Sequence, residues 1–404
     1  MPLKLVLVSP SGTLERDGKL NDGHINELCQ VIAQASDQGI KFAIWSNRAW
    51  RVNGEIPLEQ YLSEKAGVEV SAVGHPFGHP MRQMGASVVP VLEKFGVEIQ
   101  ETILVGARDE DLRAGVNNKL LLLRPAWYGG NLQYGFELKT ISELARFCLI
   151  FGTREHPIYW RVSDAPRGME AAVLGPYSTM IEAYAKFGAD AVQAAKYESG
   201  TLTFWHQLIV STLYFSGLIH KVDLIAVYPG HGAGIKEKAF YDVLSLLGKC
   251  FRKTFYVDLL LRHQEASKSS YQKATVRKFS AQVNTLRLNR RPSPYGGPPR
   301  ATPISLSGRT VLVVDDICTS GRSLDTARAY LNAAGAKSIL FSWLKTINTD
   351  FYSMEPAPDL KPFGVNTIDA EPPSMSYRYR DHIVDPQAPA EIHEVLDRFQ
   401  QWPT

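Results

Sequence analysis

Cysteine is scarce in this chain. Four residues (Cys29, Cys148, Cys250 and Cys318) are spread over 404 positions and never form a C-x-x-C pair. Neither a disulfide framework nor a thiolate zinc centre is expected, and a reducing, cytoplasmic setting fits. Long hydrophobic runs are also missing. The opening MPLKLVLVSPSG holds only a short apolar stretch, which reads as a first strand rather than a signal peptide. The one long uncharged stretch, 199–220, contains His206, Gln207 and several hydroxyls, and reads as a buried helix with no membrane contact. What is present is core: 45% of residues are hydrophobic and 21% charged, the balance of a folded protein rather than a disordered or fibrous one. The length is too great for one ordinary domain and suits two or three.

The net charge of +3 is unevenly spread. Residues 1–150 carry 15 Lys/Arg against 17 Asp/Glu, whereas 249–300 carry 12 cationic side chains against only Asp258 and Glu265. Such a block reads either as a solvated basic loop or as a site for a polyanion, the phosphates of a small ligand or a nucleic acid.

Residues 1–125 alternate strand and helix patterns: strands at 3–8, 41–45, 102–105 and 120–123, helices at 21–38, 81–95 and 109–116. Single helices between strands predict a doubly wound parallel sheet with its functional loops at the strand C-termini. Those loops read Ser9-Pro10-Ser11-Gly12-Thr13, Ser46-Asn47-Arg48, His79-Pro80 and Gly106-Ala107-Arg108-Asp109-Glu110-Asp111. In order and spacing they resemble the haloacid-dehalogenase-like (HAD) hydrolases. That family has an Asp-x-Asp-Gly-Thr loop, a Ser/Thr after the second strand, a Lys, and a Gly-Asp-x-x-x-Asp pair. The resemblance puts Ser9 at the nucleophile, Ser11 at the general acid/base, His79 at the lysine and Ala107 at the first Mg²⁺ ligand, leaving only Asp111 of the acidic set. A phosphoaspartyl mechanism needs a carboxylate nucleophile and a second carboxylic acid, so residues 1–148 read as a HAD-like domain without phosphatase activity. His75 and His79 are four apart, but Pro76 and Pro80 break any helix that would align them as metal ligands.

The strongest signal is the run from Thr310 through Asp315-Asp316-Ile-Cys-Thr319-Ser320-Gly321-Arg322-Ser323. A hydrophobic strand ends in two acids, a hydroxyl-rich loop turns at one glycine, and a helix follows. Hydroxyls and N–H groups at a helix N-terminus suit a phosphate dianion, and paired carboxylates can accept from vicinal ribose hydroxyls. The run resembles the phosphoribosyl-diphosphate (PRPP) motif of type I phosphoribosyltransferases. In that family a loop corresponding to Tyr228-Pro229-Gly230-His231-Gly232, continuing to Gly234, grips pyrophosphate. The resemblance implies a second doubly wound α/β domain over 149–404, with a flexible basic active-site loop at 262–309. The segment Leu261-Arg262-His263 to Arg277 is similar to the competence-protein-F-like branch, and Arg262, Lys268, Lys273 and Arg277 are its candidate pyrophosphate cations. The Pro/Gly-rich stretch 289–300 is expected to be mobile or ordered by a partner. Gly321 is expected to be replaceable without harm to the fold, and Asp325 to lie outside the site.

The resemblance implies a Mg²⁺-dependent phosphoribosyltransferase acting at ribose C1 of PRPP or a related nucleotide, with Asp315, Asp316 and Arg262 as catalytic candidates. Any metal is expected through the ligand, with Asp315 and Asp316 the protein groups nearest to it. Thr319 stands where purine-salvage members carry an Asp base, which argues against a hypoxanthine or guanine acceptor. Aromatic residues at 151–215 and 346–392, among them Trp160, Tyr177, Phe204, Trp205, Tyr377 and Tyr379, serve either core packing or base stacking. The alternatives are a PRPP- or nucleotide-binding regulator without turnover, and a nucleic-acid-associated effector of a defence system. For the effector, Arg287, Arg290 and Arg291 would meet the nucleic acid. A protein partner through 262–300 and homo-oligomerisation are left open.

Overall fold

The computed structural model describes residues 2–129, 134–234, 239–266 and 278–403. Four consecutive apolar residues form β1 (Leu5–Val8), buried on both faces. Around it lie β2 (Lys41–Trp45), β3 (Val70–Val73), β4 (Thr102–Val105), β5 (Leu121–Pro125) and β6 (Phe136–Leu138). They make one sheet of order β6-β5-β4-β1-β2-β3, parallel throughout. The helices are α1 (Asp22–Ser36), α2 (Leu58–Ala66), α3 (Val89–Phe95), α4 (Asp109–Asn118) and α5 (Ile141–Arg146). The Asn21 side chain caps α1 by accepting from the His24 N–H at 3.0 Å. Strand order reverses between β1 and β4, so the loops after them diverge and open a crevice at 9–13 and 106–111.

Two sequence expectations need correction here. The helix predicted over 81–95 is only Val89–Phe95. Ala86 lies in the left-handed region at φ +61°, and the Asn118 amide donates to the carbonyls of Arg82 (3.0 Å) and Met84 (3.1 Å), which a helix would have used. In addition α2, β3 and β6 were not anticipated; each is short and has no strong periodicity.

The second sheet is built from β7 (Trp160–Asp164), β8 (Met169–Tyr177), β9 (Leu224–Val227) and β10 (Thr254–Tyr256), then β13 (Thr310–Cys318) and β14 (Lys337–Thr346). Between these come the hairpin strands β11 (Leu260–Arg262) and β12 (Leu286–Leu288), and after them β15 (Phe351–Met354) and β16 (Ser374–Tyr377). The order is β7-β8-β14-β13-β9-β10, parallel except for the edge strand β7. Its helices are α6 (Glu182–Tyr197), α7 (Leu202–Phe215), α8 (Tyr241–Cys250), α9 (Phe279–Val283), α10 (Arg322–Ala333) and α11 (Ala388–Gln400). The chain moves outward from β9 to β10 and returns to place β13 on the other side of β9. The crevice of this sheet is therefore at the ends of β9 and β13, where 228–234 and 315–323 begin.

One continuous apolar core runs from Leu3 to Leu396 and joins a face of each sheet. The uncharged stretch folds as α7, whose residues from Leu208 to Phe215 are all buried. Among the described residues no helix is long and apolar enough to cross a membrane. The basic stretch is more ordered than its composition suggests. Residues 293–295 line the free edge of β10, with Val257 N–H donating to Ser293 O at 3.2 Å and Tyr295 N–H to Phe255 O at 3.1 Å. The Asp258 carboxylate accepts from Asn289 and from Ser293 N–H. The expectation of a mobile or partner-ordered 289–300 segment is thus corrected: the chain's own edge strand orders 293–295, a common way to protect a sheet edge. Lys268, Lys273 and Arg277, with Ser270, Tyr271 and Gln272, lie outside the described residues.

Candidate functional site

In the first crevice the structure brings Ser9 and Asp111 together around a side chain that sequence reasoning passed over. Arg82 is buried, and its Nη1 donates to Ser9 Oγ at 2.5 Å and Trp45 O at 3.2 Å while lying 2.6 Å from Asp111 Oδ1. Arg108 N–H donates to Asp111 Oδ2 at 2.8 Å. Burial pushes the Asp111 carboxyl up, against the pull of Arg82. Ser11 faces elsewhere, donating to Glu15 at 3.1 Å, and Ser46 Oγ accepts from Trp50 Nε1 at 2.9 Å. The cation of this crevice is therefore Arg82, three residues beyond the expected His79, which is only half-buried. Among the described residues no cluster of three His, Cys, Asp or Glu side chains suits a metal ion.

The second crevice is defined by where its carbonyls point. Thr319 O accepts from Lys345 Nζ at 2.8 Å, Ser320 O from Tyr352 N–H at 2.9 Å, and Gly321 O from Asp325 N–H at 2.8 Å. Ser342 Oγ donates to Asp316 O at 3.0 Å. In a trans peptide the N–H points opposite to its C=O, so the N–H groups of Ser320, Gly321 and Arg322 face away from these supports. Gly321, at φ +75°, precedes the first turn of α10. Arg322 lies over the rings of Tyr352 (4.2 Å) and Phe279 (5.5 Å). Asp315, Asp316 and Ser323 are half-buried.

The facing loop is held in the same way. Gly230 O accepts from Arg262 Nε at 2.6 Å, His231 O from Ala266 N–H at 2.9 Å, and Gly234 N–H donates to Arg262 O at 3.1 Å. The N–H groups of His231 and Gly232 are thereby turned from β11, and Pro229 has none to offer. Arg262 is itself buried, bonded also to Thr285 Oγ1, to Gln282 Oε1 at 3.0 Å and to Tyr228 Oη at 3.3 Å. It acts on the loop rather than reaching across the crevice. Tyr228 donates to Gln282 at 2.7 Å. Burial raises its phenol pKa, opposed by Arg262 and Ser323 and reinforced by the Asp315 carboxylate. Tyr228, Asp315 and Ser323 thus share one electrostatic neighbourhood, and the strand ends bring both predicted loops to one place.

Residues 260–344 match the phosphoribosyl transferase domain family. The match runs from the start of β11 to within two residues of the end of β14, and so includes Arg262 and the whole 315–323 turn. No curated protein matches the chain. Solved structures similar to its N-terminal region include HAD-superfamily hydrolases. The cobalt-bound deoxy-D-mannose-octulosonate 8-phosphate phosphatase of Haemophilus influenzae is 16% identical over 37% of this chain and 88% of its own, with TM-score 0.25. A HAD-superfamily hydrolase from Geobacter sulfurreducens is 11% identical over 36% and 96%, with TM-score 0.25. A hypothetical protein from Xanthomonas campestris is 18% identical over 31% of this chain, which spans 64% of that protein, with TM-score 0.22. The fold of the first unit rests on its sheet order, and no activity is taken from these likenesses.

Lys345, Gln282 and Thr285 were missed by sequence reasoning. Lys345 left one signal, a lone cation closing the apolar run of β14; it is fully buried, with its Nζ 5.1 Å from the Trp160 ring centre. Burial lowers its pKa, while Cys318 and Asp350 oppose the drop. Of the aromatic candidates, Trp160, Phe204, Trp205, Tyr377 and Tyr379 are buried in the core; Tyr177 is half-buried and packs against it. Arg290 and Arg291 are exposed and Arg287 half-buried.

Proposed function

We propose that the second unit, 149–404, binds PRPP or a related ribose 5-phosphate nucleotide and transfers its ribosyl group, breaking the C1–pyrophosphate bond and forming a bond from C1 to an acceptor. The observation that carries this reading is the set of outward N–H groups at 320–322. With the hydroxyls of Thr319 and Ser323 and the N-terminus of α10, they form a concave donor array for a dianionic 5′-phosphate. Asp315 and Asp316 would accept from the ribose hydroxyls, and the N–H groups of His231 and Gly232 would hold the pyrophosphate. Two half-buried carboxylates beside a phosphate site fit Mg²⁺, which is commonly bound through one or two carboxylates plus substrate phosphates. When bound, that ion would neutralise charge on the departing pyrophosphate. Arg262 is a positioning residue for the pyrophosphate loop in this scheme.

The first unit, 1–148, does not hydrolyse phosphate esters in this reading. Its donor set of Ser9, Ser11, Ala107 and Asp111, with the Arg82 guanidinium against Asp111, does not fit a divalent cation. Titration calorimetry with PRPP and Mg²⁺ tests the main proposal: binding should be lost in Asp315→Asn/Asp316→Asn, and unchanged affinity in that variant would overturn it. Pyrophosphate release across a panel of bases separates an enzyme from a regulator without turnover. A steep fall of oligonucleotide affinity with salt, weakened by Arg287→Ala/Arg290→Ala/Arg291→Ala, would instead favour the nucleic-acid effector.

A further inference from the structure

At the opposite end of the second sheet, where β10 begins, α8 ends in a tight reversal. Lys253 N–H donates to Gly248 O at 2.7 Å, and Arg252 is held at φ +54°. A Cβ on residue 248 would collide with the Lys253 carbonyl, so the glycine is what lets the chain fold back this closely. The reversal places Lys249, Arg252 and Lys253 on one cleft of about 270 Å³, shared with the hydroxyl residues Ser245 and Thr254 and with Tyr295. Among the described residues no carboxylate lines it.

A further cation comes from the first unit. Arg252 Nη2 donates to Asn117 Oδ1 at 2.6 Å, and Lys119 follows at the end of α4 with φ +58°. Two helix C-termini favour cations nearby, which accounts for about one each; four are gathered here. Among the described residues none of Lys119, Lys249, Arg252 and Lys253 lies within 4.0 Å of a carboxylate oxygen. Burial lowers the Lys253 amine, and Lys119 adds to this against the pull of Asp223. The place carries positive potential in excess of local need.

We propose that this cleft binds the phosphate group of a phosphate ester, at a site distinct from the 315–323 turn and at the seam of the two units. Arg252 and Lys249 supply exposed charge-assisted donors, and Ser245 and Thr254 supply hydroxyls. The volume suits a small ester or one nucleotide of a strand. The inference stands apart from the PRPP reading, because no residue is shared between the two sites.

Inorganic phosphate, adenosine 5′-monophosphate and a short oligothymidylate are titrated into the full chain and followed by calorimetry. Inorganic phosphate should bind saturably; no detectable binding of any of the three would overturn the proposal. Lys249→Glu/Lys253→Glu should weaken phosphate binding about tenfold or more while PRPP affinity is retained. Unchanged phosphate affinity in that variant also overturns it. Should the double variant melt early, Lys253→Gln is read in its place. An oligothymidylate that binds more tightly than the mononucleotide, and loses affinity steeply with salt, assigns the phosphate to a nucleic acid. Comparable or tighter mononucleotide binding assigns it to a free ester.

Discussion

Gly321 heads α10 in a left-handed conformation, and a Cβ there would overlap the Phe351 ring. The sequence motif pointed to this glycine for its approach to a ligand, and led to the expectation that Gly321→Val would keep the fold. Phe351 lies thirty residues on, in a hairpin no local pattern announced, so that expectation is corrected. A left-handed side chain costs roughly 1–2 kcal/mol and overpacking about 1–3 kcal/mol more. Gly321→Val should therefore lower the urea midpoint without any ligand, whereas Ser323→Ala should leave it nearly unchanged and weaken PRPP binding by about 1 kcal/mol. Equal midpoints for the two variants would show that the hairpin does not press on the turn. Asp325, expected to lie outside the site, is fully buried, accepting from Arg328 Nε at 2.7 Å, Met354 N–H at 2.8 Å and Ser353 Oγ at 2.9 Å. Asp325→Asn leaves Arg328 charged and poorly paired in the interior, a loss of about 3–5 kcal/mol of stability. Asp315→Asn should change stability little and PRPP affinity much. Chemical denaturation and calorimetry on the two variants separate these roles.

At the scale of elements, the apolar strands were legible: β2 and β4 occupy the runs 41–45 and 102–105. What was hidden depended on contacts between distant segments. Residues 81–88 carry helix-compatible side chains, yet Asn118 and the inward turn of Arg82 claim them. The basic stretch reads as a loop by composition, but β12 pairs with β11, and 293–295 cover β10. The short helical turn 218–221 gives a prediction of its own. Burial, with Lys119 and Lys253 adding to it, pushes the His220 imidazole down to about 4, and its buried Nε2 has no hydrogen-bond partner among the described residues. The unfolded chain binds that proton near pH 6.5. Between pH 6.5 and 4 the unfolded state therefore holds more protons, and stability is lost as pH falls through the window, by up to about 3 kcal/mol. Carboxylates titrate there too, so the measurement is the difference in pH dependence between the wild type and His220→Gln. An identical slope below pH 6.5 in the two would mean that His220 is not held neutral.

For the whole molecule, the question is whether two sheets make two independent units. The sequence drew a boundary at 148/149 from the change in motif grammar, and grammar is blind to a shared core. The structure joins the halves in three ways. The apolar cluster is continuous from Leu3 to Leu396. Arg252, just past the end of α8, donates from Nη2 to Asn117 Oδ1 of α4 at 2.6 Å. Tyr214 of α7 reaches into the first unit, its hydroxyl 2.7 Å from Ile99 O and 2.5 Å from Thr102 O. A buried phenol that donates across a seam couples both sides, because any shift of one side against the other leaves the donor and the carbonyls buried and unpaired unless the seam opens altogether. We therefore expect one cooperative unfolding transition, reported alike by Trp45 in the first sheet and Trp343 in the second. Tyr214→Phe should shift both reporters together, with a loss of about 1–3 kcal/mol. Independent units would behave otherwise: two transitions in the wild type, and a shift confined to the Trp343 signal in the variant. A shared transition would also give the first unit a structural role that needs no chemistry of its own. Its Arg82-filled crevice would matter less than the apolar face it lends to the sheet beside it.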